Sequence, residues 1–320
     1  MILNKLSILN YKNIASAELD FVPKLNCLVG MNGEGKTNVL DAIHFLSLAK
    51  SATTSMDSQA IMHGQDLMAL EGNYEHEDGT PECIHCGLKR GQKKVLRRGK
   101  KAYRRLAEHI GLIPIVTVSP ADQWLIAGGS EERRRFMDII ISQYNPVYLG
   151  ALTRYNKALQ QRNALLKQEE EPDDDLLALL EEEMARVGTY IYGERQKYVE
   201  HFTPTFQSFY SLISQEKESV SLTYTSHGQR GDLLEVIRRD RAKDRAVGYS
   251  LHGTHTAMTW RCSWVASPSD AKARRDRTRR TSPRSSLHSL TFCARRAATR
   301  HRCSCSTTSS TNWMQGACSR

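Results

Sequence analysis

No stretch of this chain is apolar for long enough to cross a bilayer, and its start, MILNKLSILNYKN, lacks the apolar core that a secretory signal needs. A membrane-spanning helix is therefore not expected, and a cytoplasmic location is. No second cysteine pair stands at zinc spacing from Cys83-Ile-His-Cys86, so that lone pair predicts no metal centre. No Ser/His/Asp set and no pair of carboxylates stands out as an independent catalytic group, so no catalytic residue is assigned. Excess charge is missing too, from most of the chain. The 320 residues carry a net +10, but 13 of the 45 Lys and Arg and only 2 of the 35 Asp and Glu lie from Thr254 onward. The preceding part is close to neutral, and whole-chain basicity is no guide to its partners. Five of the eight cysteines crowd into the same final segment.

What is present is ordinary in composition: 40% apolar and 25% charged residues, enough length for one large domain or two. Residues 1–29 alternate apolar and polar in ILNKLSIL and SAELDF and end in LNCLV, which predicts strands of a mixed sheet. Val39, Leu40, Ile43 and Leu46 then recur at helical spacing. Residues 67–105 predict β-structure with polar turns, and IPIVTVSP a short buried strand stopped by proline. From Ser130 to about Ile213 the pattern is helical, with EEEPDDD interrupting it, which predicts two antiparallel helices around an acidic turn. SVSLTYTS predicts a strand, and DLLEVIRRDRAKDRAVGYSLHG a helix running into a glycine-bounded strand. After Gly253 neither periodicity persists, and a disordered basic tail is expected. Trp124 and Phe136 are expected in the core.

Between the LNCLV strand and the helix lies Gly30-Met31-Asn32-Gly33-Glu34-Gly35-Lys36-Thr37, which satisfies the phosphate-loop pattern G-x-x-x-x-G-K-[ST] with its required flanks. Glycines let backbone N–H groups turn inward onto phosphate, Lys36 would reach the β and γ phosphates of ATP, and the Thr37 hydroxyl would ligate Mg2+. A glycine turn with no ligand would not explain Lys36-Thr37.

These motifs together carry a resemblance. LSILNYKNI, LVGMNGEGKTNVLDAIHFLS, SPADQWLIAGGSEERRRFMD and YLGALTRYNKALQQRNALLK, spread from Met1 to about Gly253, closely resemble the RecF family of bacterial DNA-repair ATPases, relatives of the SMC proteins. The resemblance implies an α/β fold: an ABC-type P-loop ATPase head, with a mixed sheet and helices, plus a helical second lobe. It implies residues 1–125 and 216–253 in the head, 126–215 in the helical lobe and 254–320 as a non-native tail. It further implies a weak DNA-dependent ATPase that dimerises around ATP, binds single-stranded or gapped DNA and acts in replication, repair and SOS induction. Partners would be RecR and a RecA-type recombinase. Lys12 and Asn13 stand where the family lines the nucleotide with a basic residue and an asparagine. Arg133, Arg134 and Arg135 match a basic run that would touch DNA or a second subunit.

What the resemblance does not find is the rest of the site. The family continues with G-P-H-R-D-D, an S-x-G-Q signature and a strand ending L-L-D-D-x-F; here the chain reads GTHTAMTWRCSW, and no apolar strand ending in acid follows. Codon logic supplies a reason. Reading the last base of each codon with the first two of the next, Met258-Thr259 must encode Asp, and Asn312-Trp313-Met314-Gln315 must encode Leu-Asp-Ala. Backward from there, degenerate bases permit L-L-L-D-D-I-F-D-K, with Thr307 and Thr308 where the two aspartates belong. A single frameshift near residues 253–255, in the gene or in its reading, accounts for this, and it predicts ATP binding without useful hydrolysis. Two other readings remain: a non-catalytic nucleic-acid-binding protein acting through its basic tail, and an unrelated P-loop kinase or transferase.

Overall fold

The computed structural model describes residues 1–123, 125, 129–168, 170, 172–215, 221–226, 229 and 231–250, and the backbone of 258–261. The described residues divide into two compact units, one of Met1–Ile115 and the other of those from Val116 onward.

The first unit is a six-stranded sheet covered by one helix. Its strands are β1 (Ile2–Tyr11), β2 (Ile14–Asp20), β3 (Leu67–Glu75), β4 (Pro81–Lys89), β5 (Val95–Arg98) and β6 (Lys101–Ala102), in the order β2-β1-β3-β4-β5-β6. Every pairing is antiparallel, where the sequence predicts a mixed sheet. Period-two alternation sends Leu6, Ile8, Met68, Leu70, Ile84, Cys86, Leu88 and Leu96 to one face. There they meet Ala42, Phe45 and Leu46 of helix α1 (Lys36–Leu48), all fully buried. Gly72 is the one small residue on the core face of β3. A Cβ there would stand 2.6 Å from the Tyr74 ring and 3.0 Å from Leu46 Cδ1.

Two predicted strands do not form. Leu25–Val29 and residues 113–118 have no strand assignment, and Val29, Leu25 and Val118 are 92%, 77% and 58% exposed. β-propensity cannot substitute for a partner, because a strand's backbone groups are satisfied only by its neighbours.

The second unit is helical. Helices α2 (Ser130–Tyr144), α3 (Pro146–Leu166) and α4 (Asp174–Ser214) fill the stretch with helical periodicity, three where two are predicted, because Asn145 and Pro146 end α2 and start α3. Asn145 caps α3 by accepting from Tyr148 N at 3.0 Å, with Pro146 in the first turn where its missing N–H costs nothing. Asp173 caps α4 through Asp175 N and Leu176 N. Asn145 bonds Glu194 and Arg162 bonds Glu181, so α3 and α4 run antiparallel. Gly188 lets them approach closely, since a Cβ there would lie 3.2 Å from the Tyr155 ring. Tyr198, Phe202, Phe206 and Tyr210 form a buried ladder of rings along α4.

Two short helices, α5 (Leu233–Arg239) and α6 (Arg241–Val247), accompany this hairpin; α5 packs Ile237 against Leu159, Leu180 and Met184, and ions hold α6. Arg162, wholly buried, donates to Glu181 Oε1 at 2.9 Å, to Asp244 Oδ2 at 2.7 Å and to Ser250 Oγ. The predicted single helix is thus two, ended by Gly248 at φ 78°. Strand β7 (Ser221–Tyr224) forms as predicted, and pairs with β8 (Met258–Arg261). This corrects the expectation of no organised structure after Gly253: β7 has an open edge, and the β-forming Thr259 and Trp260 can pair with it. The remainder of that expected tail lies outside the described residues.

Candidate nucleotide-binding site

The phosphate loop joins the extended segment ending at Val29 to α1. Gly35 is the N-cap of α1 with φ 92°, and a Cβ on it would stand 3.0 Å from Asn13 Oδ1 and 3.1 Å from Ile14 Cγ1. Only glycine meets both demands. No side chain caps α1 and no acidic residue lies in its first turn, which leaves its N-terminal N–H groups and dipole to an anion.

Asn13 fixes the loop from the side. Its Nδ2 donates to Gly33 O at 2.6 Å, and its Oδ1 accepts from Asn38 Nδ2 of α1 at 2.6 Å. Lys36 is folded back onto its own loop, Nζ donating to Gly30 O at 2.7 Å and Met31 O at 2.6 Å. Glu34 Oε2 accepts from Met31 N at 2.8 Å. A loop N–H therefore already holds a carboxylate oxygen, the kind of contact a phosphate oxygen would make. The donors suit a phosphate chain: the Lys36 ammonium, the Met31 N–H and an uncapped helix N-terminus. Thr37 and Asn32 stand beside them, both exposed.

Lys12 takes a different place from Asn13. Its ammonium forms an ion pair with Asp41 of α1 and bonds Thr53 Oγ1. Asp41 also accepts from Tyr11 Oη at 2.6 Å, Ser51 Oγ at 2.7 Å and Ala52 N at 2.7 Å. Burial alone would raise this carboxyl, but the bonds from Lys12, Tyr11, Ser51 and Ala52 outweigh it and hold it below the usual range. Asp41 thereby ties the β1–β2 turn to the helix that carries Lys36. The sequence holds one sign of this, an acid beside Ala42 on the apolar face of α1.

The basic run splits. Arg134 is buried and donates to Ser130 Oγ at 2.8 Å, Arg133 donates to Leu125 O at 3.2 Å, and Arg135 is exposed. Phe136 lies in the core; Trp124 is outside the described residues. Cys83 and Cys86 fall on opposite faces of β4, Cys86 in the core, so they do not converge on one ion. Among the described residues no group of three His, Cys, Asp or Glu side chains is placed to hold a metal.

A sheet-and-helix unit with this loop at the helix start defines a P-loop ATPase head, and comparison with known proteins narrows it. Residues 1–95 match the AAA ATPase domain model. The chain is 57% identical over 255 residues to the DNA replication and repair protein RecF of Phocaeicola vulgatus, covering 80% of this chain and 69% of that one. It is 45% identical over 258 residues to the RecF of Flavobacterium johnsoniae, covering 80% and 72%. A solved structure of the recombination mediator protein RecF with ATP superposes with a TM-score of 0.82 at 24% identity, over 93% of this chain and 80% of that one. The fold is accordingly the α/β, ABC-type ATPase head with a helical second lobe. The chain belongs to the RecF family of DNA replication and repair proteins.

Proposed function

We propose that this chain is a RecF-type ATP- and DNA-binding protein of recombinational repair that, as encoded, grips ATP without hydrolysing it. The observation that carries this reading is a complete phosphate loop attached to an unpaired segment. Lys36, Asn13 and the loop N–H groups are in place, while Cys27–Val29 pairs with no strand among the described residues. Lys36 would exchange the Gly30 and Met31 carbonyls for β and γ phosphate oxygens, and Glu34 would yield the Met31 N–H. Thr37 would hold Mg2+, which when bound neutralises phosphate charge. Orienting an attacking water needs an acid at the end of a neighbouring strand, and Thr307 and Thr308 stand where that strand's aspartates belong.

DNA with single-stranded or gapped character, RecR, a RecA-type recombinase and an ATP-dependent second copy of the chain are the partners this reading carries, in the cytoplasm, with SOS induction as a downstream role. The names of the curated relatives support repair and replication. Dimerisation would be impaired here, because the S-x-G-Q run that completes a partner's site is read out of frame.

The test is titration with a fluorescent ATP analogue beside a phosphate-release assay with and without DNA. Analogue binding that disappears in Lys36→Ala, with no phosphate release from either protein, is expected. Restoring the frame near residues 253–255 should restore release. DNA-stimulated hydrolysis by the 320-residue chain itself would refute the reading. A second reading, nucleic-acid binding through the basic tail alone, rests on the 13 Lys and Arg after Gly253 and predicts binding that ignores ATP.

A further inference from the structure

The sheet edge made by β4, β5 and β6 carries charge of one sign. Between Cys83 and Ala107 the sequence has ten Lys and Arg and no Asp or Glu. Two of the ten are committed: Lys94 pairs with Asp57 at 2.7 Å, and Arg98 pairs with Glu82. The other eight are exposed, and none makes an ion pair among the described residues. They are not scattered. Lys89, Arg90 and Lys93 flank the β4–β5 turn. Arg97 stands on the solvent face of β5, opposite His85 on β4 and Ala102 on β6. Lys100 lies in the β5–β6 turn and Lys101 opens β6, with Arg104 and its neighbour just after that strand.

Packing does not call for this. The core face of β5 is satisfied by Leu96, and eight unpaired like charges gathered on three strands and their turns raise the energy of the fold. Guarding an exposed edge against sheet-to-sheet pairing is the competing explanation, and one or two lysines on the edge strand would suffice. Here the cations extend into both turns and past the two-residue strand β6. Repelling charges gathered on a rigid edge are relieved by a polyanion. A phosphodiester backbone supplies regularly spaced single charges that need no base-specific geometry.

We infer that the β4–β5–β6 edge is a docking surface for the phosphate backbone of nucleic acid. The inference rests on the DNA-binding reading above and names the surface that performs it. It also separates this surface from the other cationic region of the chain, the segment after Gly253.

The test uses the full 320-residue chain. Fluorescence anisotropy with a labelled gapped duplex, from 50 to 300 mM salt, compares three proteins: wild type; an edge variant with Arg97→Gln, Lys100→Gln, Lys101→Gln and Arg104→Gln; and a tail variant with Arg274→Gln, Arg275→Gln, Arg279→Gln and Arg280→Gln. Each phosphate that a variant no longer neutralises should reduce the slope of log affinity against log salt by about 0.9. We expect the edge variant to lose two units or more of slope and at least tenfold in affinity near 150 mM salt, and Arg97→Lys with Arg104→Lys to retain binding. Far-UV circular dichroism checks that the variants fold, and protection of Lys100 and Lys101 from acylation by DNA gives a readout on the unmutated protein. Loss of binding in the tail variant but not the edge variant would overturn the inference, as would equal binding by all three. Aggregation of the edge variant with binding intact would assign the cations to edge protection. Displacement by polyglutamate as effective as by DNA would assign them to an acidic protein. No DNA binding by wild type at any salt would defeat the DNA-binding reading itself, a different result from any of these.

Discussion

Replacing Arg162 by methionine removes a cation shared by two buried carboxylates on different helices. Arg162 has no solvent exposure, Glu181 none and Asp244 1%. The guanidinium holds Glu181 Oε1 through Nε at 3.1 Å and Nη2 at 2.9 Å, and Asp244 Oδ2 through Nη1 at 2.7 Å. Breaking a buried pair by deleting one partner costs about 3–5 kcal/mol, because the charge left behind is desolvated and uncompensated. Glu181 keeps Arg241, whose Nη2 donates to Oε2 at 2.6 Å, so the lower end applies. A loss of about 3 kcal/mol corresponds to a roughly 150-fold shift toward unfolded chain. Urea unfolding followed by far-UV circular dichroism, dominated by α2 to α4, reads that shift as a lower midpoint. Arg162→Met combined with Glu181→Met and Asp244→Leu should recover at least half of the loss, since apolar replacement of a whole buried ionic cluster is close to neutral. An Arg162→Met midpoint equivalent to less than about 0.5 kcal/mol of destabilisation would refute the reasoning. It would mean that the carboxylates are solvated.

Three further outcomes follow from other parts of the molecule. Burial holds the His109 imidazole below its usual value, against the raising effect of its Nε2 contact with Leu46 O at 2.6 Å; a depressed histidine contributes stability that is fully present above the unfolded value of about 6.5 and is lost as pH falls below it. The first unit should therefore lose stability between pH 7 and pH 5.5, and His109→Gln should flatten that slope, as read by thermal melts across pH. Glu34→Ser frees the Met31 N–H from a competing carboxylate, and should tighten binding of a fluorescent ATP analogue by about tenfold, or roughly 1.4 kcal/mol; unchanged affinity would show that Glu34 does not compete. Gly72→Ala forces a methyl against the Tyr74 ring at 2.6 Å and should destabilise by about 1–3 kcal/mol in urea unfolding.

Elements defined by neighbours in sequence were legible, and those defined by distant partners were not. Helix α4 is marked by Asp173, an acidic first turn and apolar positions at helical spacing, all local signals. The β3–β4 hairpin likewise follows from polar turn residues around Asp78-Gly79. The phosphate loop is legible because its chemistry is written in eight consecutive residues, Gly30 to Thr37. Lys12 shows the limit: its partner Asp41 lies 29 positions away, and nothing in either flank says that they meet. Arg162 and Asp244 are 82 positions apart, and a sequence pattern sees only two solvated charges on separate helices. Strand β8 escapes a sequence reading for another reason, since its alternation of apolar and polar residues lasts only four positions, Met258 to Arg261, and becomes a strand by pairing with β7.

The unformed strand before the phosphate loop combines a local signal with a distant partner. Leu25, Cys27 and Val29 have the composition of a strand buried on both faces, yet Leu25 and Val29 are 77% and 92% exposed, and the turn beneath them is closed only by Asn26 bonding Val22. A segment that apolar gains stability only between two neighbours, and the codons of the proposed shifted frame permit a neighbour of the right kind, an apolar run ending in two aspartates. Pairing would do two things at once: bury Val29 and its flanks, and bring acid to the loop that holds Lys36. The frame-restored chain should therefore show slow amide exchange at Cys27–Val29 together with phosphate release, while the encoded chain should exchange there at the rate of open peptide. Slow exchange in the encoded chain would mean that another strand already fills the gap. The lost hydrolysis would then need a cause other than the missing acid-bearing strand.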